Sequence, residues 1–562
     1  MEVGASGMMA TGLALSTAQC PPLVLTTAEL PAGSRISVAF ATRAGGSLAV
    51  AAKLVASTRL AGAELAFAAL AARGWHCSSR ASRRERGSLR LQVLRAEGLP
   101  PGGRAALVPA MPAAWAAAPE EAWVGAGVRV LAAPFGAAAP VVATVTRGVV
   151  SNVSSPPGLL LLDARCMEAS AGAGVLLEEL RGAGPGAHAV ACLAPLLRSA
   201  SDETVALSVA VPLEHLAAAL LDDRHCAQCL HAAEVAALGP PLASPGMAVV
   251  THGLATAVRR GVVLLWIEAT GSWASGVIVS EAGHLLTCAH LLTGHSWMES
   301  PEDEQQRRRE APPPRICQGR GQVLGSGGEF LEASFEAEVL HVSRGFLDVA
   351  LLQARGSSGR PWAFAPLPWR SGPPPEGAEV WAVGHGLFGP GAPWRLASVT
   401  RGHVAKVAAG ARARRPAILQ SSAAVHRGCS GGALVEASSG GLLGLVTTNV
   451  RHQDGAVMPH VNFSLPTALL APLRGFLDGP RGARELELLV EAWARCAADE
   501  EEQSLWRLLP EPLGLPSRVE ARRQQAQERL ERLAEQARAS EQAAAGGASD
   551  AGAAAAAHRS SL

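Results

Sequence analysis

The sequence predicts an all-β protein in which one β domain occurs twice and a helical tail follows. Three observations predict this. Short β-branched and aliphatic runs alternate with Gly, Pro and Ser turns from Val128 to Asp223, and the same rhythm returns from Val262 to Pro472. The two stretches share sequence anchors at one fixed offset. From Arg518 to Ala539 the composition changes to Glu, Arg, Gln and Ala with few apolar positions, the pattern of a solvated helix.

At 562 residues the chain exceeds a single hydrophobic core, and several domains are expected. Hydrophobic residues make up 48% and charged residues 17%, which is enough apolar content for packed interiors. A formal net charge of +1 gives no field that would draw nucleic acid or a membrane surface, so neither is expected as a partner. No run of 18 apolar residues is free of Pro, Gly or charge, and Met1 to Pro31 lacks the basic start of a secretory signal. A reducing intracellular setting follows. Ten cysteines without regular spacing make no disulfide framework. Cys226-x-x-Cys229, flanked by His225 and His231, has half the spacing of a zinc site and no second half, so no metal or other cofactor is predicted.

The expected order is a first β domain at residues 1–231, a Pro/Ala/Gly joint at 232–250, a second β domain at 251–480 and a tail at 481–562. Within the first, Arg35 to Phe40 reads as a strand, Arg80 to Arg86 as a solvated basic loop and Pro100 to Pro119 as a linker. In the tail, Leu530 and Leu533 offer a weak seam for self-association, so a homo-oligomer is compatible with the sequence.

The repeat is anchored at two distant places. Thr144 to Val153 parallels Ser398 to Val407, with Gly148 opposite Gly402, and Val209 to Leu213 parallels Phe463 to Thr467, with Pro212 opposite Pro466, an offset of 254 residues both times. Between the anchors, Ser170-Ala171-Gly172-Ala173-Gly174 falls opposite Gly428-Cys429-Ser430-Gly431-Gly432, which places Gly172 opposite Ser430. A glycine has no oxygen to attack with, so the first copy is expected to be inactive.

Gly428-Cys429-Ser430-Gly431-Gly432 supplies what a nucleophilic serine needs: small neighbours that do not crowd a carbonyl, and backbone N–H groups that can face an oxyanion. A serine hydroxyl also needs a base. His290 ends the apolar run Leu285-Leu286-Thr287-Cys288-Ala289, whereas His284 and His385 lie among glycines, His295 in a polar loop and His426 on the loop leading to Ser430. Between His290 and Ser430 the only aspartates are Asp303, in a charged loop, and Asp348, which opens the apolar strand Asp348 to Leu352. A carboxylate at such an entry needs a hydrogen-bond partner, and an imidazole N–H is one.

The order His290, Asp348, Ser430 resembles the chymotrypsin-type serine proteases, and Thr287-Cys288-Ala289-His290, Asp348-Val349-Ala350-Leu351 and Gly428 to Gly432 resemble their three motifs. The resemblance implies a double β-barrel, trypsin-like serine protease domain at 251–480, preceded by a degenerate copy. It also implies the roles: Ser430 as nucleophile, His290 as base, Asp348 as its orienting acid, and the N–H groups of Gly428 and Ser430 as the oxyanion hole. Ala424 would form the floor of the specificity pocket, beside Thr447, Thr448 and Asn449. No acid stands there, so a preference for Lys or Arg is not expected. Leu291 and Cys429 replace a disulfide cysteine and an aspartate of the secreted branch, which argues against activation by N-terminal cleavage. With the surrounding segments, the chain is similar to the peroxisomal processing proteases of this family. That implies removal of N-terminal leaders from imported matrix proteins, including enzymes of fatty-acid β-oxidation. Ser560-Ser561-Leu562 departs from the S-K-L type of peroxisomal address only at its middle residue, and the import receptor is the expected reader. Two other readings fit the sequence: an inactive peptide-binding scaffold, and a quality-control protease in another compartment.

Overall fold

The computed structural model describes residues, with gaps, from 2 to 96, 123 to 230, 253 to 293 and 314 to 506. The expectations for 100–119, 232–250 and 507–562 lie outside them. Strands dominate, arranged as three closed six-stranded barrels, one seven-stranded sheet and one two-stranded sheet among the described residues.

The last two barrels make the second β domain. One is built from Val262–Ile267, Ser272–Ile278, His284–Thr287, Ile316–Leu324, Phe330–Val342 and Ala350–Arg355. The other is built from Glu379–Gly384, Ser398–Ala409, Pro416–Ser421, Ala433–Glu436, Leu442–Arg451 and Val457–Pro466. Alternate side chains of a strand point to opposite faces, and this decides the packing. Leu285 and Leu352 turn into the first barrel beside Val263, Ile278 and Phe335. Their neighbours Leu286 and Leu351 turn outward, into a cluster with Val383, Leu445 and Leu465 of the second barrel. The short strand His284–Thr287 is therefore buried on both faces, and its end is held at the seam between the barrels. Each leucine so enclosed contributes about 1.5–3 kcal/mol.

The first domain repeats this plan. Gly127–Ala132, Thr144–Val153, Leu160–Leu162, Gly174–Leu177, His188–Leu193 and Ser208–Pro212 close into a barrel with the strand order of the Glu379–Pro466 barrel. Before it, the seven-stranded sheet keeps the order of the Val262–Arg355 barrel. Ser272–Ile278, which there pairs on both sides, is represented by Met8–Thr11 at one edge of the sheet and Leu13–Leu15 at the other.

The copies meet along polar groups. Asp163 accepts from the amide of Val149 in its own copy and from the amide of Arg401 in the other, both at 2.6 Å. Asn152 donates to the Leu396 carbonyl and to Ser398 Oγ, and accepts from the buried Arg259, which also donates to the Ala397 carbonyl at 2.6 Å. Buried polar groups matched in this way fix one docking geometry.

The segment expected as a tail from 481 is packed up to residue 506. In Ala483–Ala497 the residues Leu489, Trp493 and Cys496 lie on one helical face and join the cluster between the barrels, as does Trp506 of the next helix, Glu500–Trp506. Glu502, fully buried, accepts from Arg415 at 2.7 and 2.9 Å. No described helix is long and apolar enough to cross a membrane.

Burial pushes the Asp163 carboxyl up to about 6, against the pull of the two backbone amides. A carboxyl whose folded value is raised stabilises the fold fully below its ordinary value of about 4, and that contribution is lost as pH rises through about 6. Asp163→Ala leaves two inward-facing amides without their acceptor and is expected to lower stability by about 1–3 kcal/mol. Denaturant unfolding should show a larger gap between parent and variant at pH 5 than at pH 7.5; a gap that widens with pH contradicts this account.

Candidate active site

The strand His284–Thr287 leads into the short helix Ala289–Thr293, which presents His290 at the seam. Opposite, Gly345, at φ 76°, turns the chain into Asp348, flanked by the fully buried Leu347 and Val349. Asp348, itself 5% exposed, receives His290 twice: Oδ1 accepts from the backbone amide at 2.9 Å, and Oδ2 lies 2.6 Å from Nδ1. A carboxylate on Nδ1 places the ring proton there and leaves Nε2 as an acceptor. Burial works against the charged ring, but the charge and hydrogen bond of Asp348 outweigh it, so the His290 pKa is raised above its ordinary value.

Each carbonyl of the Ser430 loop from Arg427 to Ser430 has a donor. The Arg427 carbonyl accepts from the amide of Leu387, Cys429 O from the amide of Gly432, and Ser430 O from the amide of Ser275, all at 2.8 Å. Gly428 O accepts from Ser275 Oγ at 2.7 Å. The amides of Cys429 and Gly431 donate to His426 O and Val446 O. Among the described residues, beyond the amide of Arg427, which is also without a partner, Gly428 and Ser430 are left with free amides in this loop. In a trans peptide the N–H points away from the carbonyl it shares a plane with, so those two amides face away from Leu387 and Gly432. Gly428 must be glycine: φ is 95°, and a Cβ would stand 2.4 Å from Trp273 Nε1 and 2.5 Å from the His385 carbonyl.

The loop abuts the histidine strand. A Cβ on Gly431 would stand 2.4 Å from Thr287 Oγ1, and Cys288 Sγ donates to the same Val446 carbonyl that Gly431 uses. His290 and Asp348 are therefore paired directly, and the Ser430 loop is seated beside them. The Ser430 hydroxyl itself donates to the Thr447 carbonyl at 3.0 Å. Ligand atoms of Cys288, His290 and Asp348 lie within 4.8 Å of one another, as in a three-donor metal site. Burial and the Asp348 charge push the Cys288 thiol well above its usual value, which opposes the thiolate a metal would require. The eight cysteines with described side chains are free, and Cys226 and Cys229 sit in a short helix.

The remaining residues singled out in the sequence are distributed as follows. Ala424 is buried, and its carbonyl accepts from Thr400. Thr447 Oγ1 donates to Phe463 O, and Thr448 is half-buried. Asn449 ties to the Val425 carbonyl at 2.8 Å and keeps a buried Oδ1 without a partner. His385 and His426 are buried, and burial holds both down at about 3, so they stay neutral. His284 bonds Ser280. Sequence reasoning missed Ser275, Trp273 and Leu387, which carry no motif.

The first copy preserves the frame of the site and lacks its chemistry. The amide of Gly172 donates to Leu193 O, and that of Ala173 to Ser170 O, matching Gly431 to Val446 and Gly432 to Cys429. Gly172, φ 87°, therefore corresponds to Gly431, φ 79°, and the residue opposite Ser430 is Ala171, one place earlier than the sequence comparison put it. Thr27 donates to Leu193 O where Cys288 donates to Val446 O, so Thr26-Thr27-Ala28-Glu29 stands in the sequence where Thr287-Cys288-Ala289-His290 does. Thr26 pairs with Gln92 as Thr287 pairs with Ala350, which puts Arg90 opposite Asp348. Arg90 and Ala171 thus stand opposite Asp348 and Ser430, and Glu29 opposite His290 in the sequence.

Two closed six-stranded barrels meeting at this seam make a trypsin-like domain. Residues 274–445 match the family described as "Trypsin-like peptidase domain". The chain is similar to the peroxisomal leader peptide-processing proteases of Mus musculus and Homo sapiens, at 30% identity over 354 and 352 residues, or 62% of this chain. It spans 55% of the length of each of these curated relatives. Among solved structures, the serine endoprotease from Yersinia pestis shares 23% identity at a TM-score of 0.27, over 42% of this chain and 66% of that one. Deg5 shares 18% at 0.29, over 39% and 89%.

The His290 imidazole should titrate above an ordinary histidine. In Asp348→Asn the opposing effect of burial alone remains, so the pKa should fall below the ordinary value; imidazole NMR across pH checks both. An unchanged midpoint in Asp348→Asn contradicts the pairing.

Proposed function

We propose that the chain is a serine endopeptidase in which His290, Asp348 and Ser430 act together. Ser430 attacks the scissile carbonyl, His290 Nε2 takes its proton and returns it to the leaving amine, and Asp348 holds the ring and balances its charge. The amides of Gly428 and Ser430 stabilise the oxyanion, a contribution of about 10²–10³ in rate for each donor. For the proton transfer, the Ser430 hydroxyl must leave the Thr447 carbonyl for the imidazole. The observation that carries the reading is an aspartate-held imidazole beside a serine loop in which the amides of Gly428 and of Ser430 itself are both unpartnered.

The proposed substrates are peroxisomal matrix proteins, including those of fatty-acid β-oxidation, from which N-terminal leaders are removed in the peroxisomal matrix. Support comes from the name carried by the two relatives and from the extent of the match. In the specificity pocket, Ala424, Thr447, Thr448 and Asn449 present no acidic side chain. A small, neutral or thiol-bearing residue before the cut follows. The domains divide at 1–231 and 251–480, with the first a scaffold.

Purified chain should cut a leader-bearing matrix precursor once and be labelled by a fluorophosphonate, and Ser430→Ala should lose both, with kcat down by several powers of ten. Because Nε2 must be unprotonated to act, kcat/KM should rise with pH along the raised His290 titration. Undiminished cleavage by Ser430→Ala overturns the assignment, and a peptide-library preference for Lys or Arg overturns the pocket.

A further inference from the structure

The loop that forms the oxyanion hole is held by a contact whose other side belongs to the inactive copy. Leu387 is one of two non-glycine residues with positive φ among the described residues, at 74°. A left-handed conformation is strained for a leucine, so its surroundings must hold it there. Its side chain is 7% exposed and lies in an apolar cluster whose other buried members, among them Leu23, Leu91, Leu159 and Val209, all come from residues 23–230. Its backbone faces the other way, and its amide donates to the Arg427 carbonyl at 2.8 Å.

That hydrogen bond sets the orientation of one peptide. Arg427 C=O and Gly428 N–H share a plane and point in opposite directions. Holding the carbonyl on Leu387 turns the Gly428 amide toward the oxyanion position. Glycine at 428 makes the peptide easy to turn over, since no Cβ resists a change of φ. Turned over, it would present a carbonyl dipole to the developing oxyanion where a donor is needed.

We propose that Leu387 is a positioning residue that completes the oxyanion hole, and that the inactive copy activates the other by enclosing the Leu387 side chain. This rests on the peptidase reading above. The degenerate domain then keeps its fold because its apolar interior is the socket for this one side chain, and the Glu29, Arg90 and Ala171 replacements do not affect that task.

The test uses the full chain with a peptide substrate, and turnover is normalised to the sites a fluorophosphonate labels at completion, so unfolded molecules are not counted as slow. Leu387→Gly retains the amide and relaxes the turn but removes the side chain; Leu387→Ala shortens it; Leu387→Met keeps an unbranched apolar one. Leu387→Gly and Leu387→Ala should lower kcat by about 10- to 100-fold with KM within about twofold, the signature of a lost oxyanion donor. Affinity for a peptide aldehyde, whose adduct carries the tetrahedral oxygen, should fall by the same factor as kcat/KM. Leu387→Met should recover most of the rate. A Leu387→Gly enzyme as fast as the parent overturns the inference while leaving the peptidase reading intact. A parent that turns over no peptide and takes no label at Ser430 overturns both. A loss shared equally by all three variants, with KM rising as kcat falls, overturns the assignment to the oxyanion hole.

Discussion

The site depends on the backbone of Arg427 to Gly432 being held in one conformation. Every carbonyl from Arg427 to Ser430 has a donor, so no peptide in the run can turn without losing a hydrogen bond. Ser275 supplies two of those donors. It is fully buried, its amide reaches Ser430 O, its hydroxyl reaches Gly428 O, and the same hydroxyl accepts from the amide of His385 at 2.8 Å. Its carbonyl accepts from Thr287 Oγ1, on the strand that leads to His290. One serine of the first barrel thus fixes the Ser430 loop of the second and the approach to His290. A loop held in this way keeps the amides of Gly428 and Ser430, the donors of the proposed oxyanion hole, in fixed positions.

Comparison of the copies separates scaffold from chemistry. The positive-φ glycine, the turn before it and the threonine bond to Leu193 persist in the first copy, while all three chemical positions have changed. Packing and backbone hydrogen bonds constrain the frame in both copies, because both bury comparable apolar clusters. Nothing in packing requires an imidazole or a hydroxyl at the three sites. The polar contacts through Asp163, Asn152 and Arg259 give the copies a single mutual register, and Leu387 shows that they share apolar surface as well.

Much of this was legible in the chain. The β rhythm, the repeat and the His290–Asp348–Ser430 order are local patterns, and local patterns survive in a sequence because each strand must present apolar residues at period two. The mismatch of one residue at Ala171 arose because Ala and Gly crowd that segment, and hydrogen-bond register, not composition, fixes the correspondence. The packed helix Ala483–Ala497 was hidden in a charged segment, since only Leu489, Trp493 and Cys496 mark its buried face.

The residue types were therefore set by the sequence alone: which serine stands among glycines, which histidine ends an apolar strand, and which aspartate opens one. Tertiary structure decided their neighbours. Trp273 and Ser275 come from one strand and Leu387 from a distant turn; none bears a motif, and their roles exist only because barrel closure and the docking of the copies bring distant backbone amides and carbonyls within 3 Å. Hydrogen-bond partners of that kind are chosen by geometry, which acts on every backbone alike and leaves almost no trace in side-chain identity.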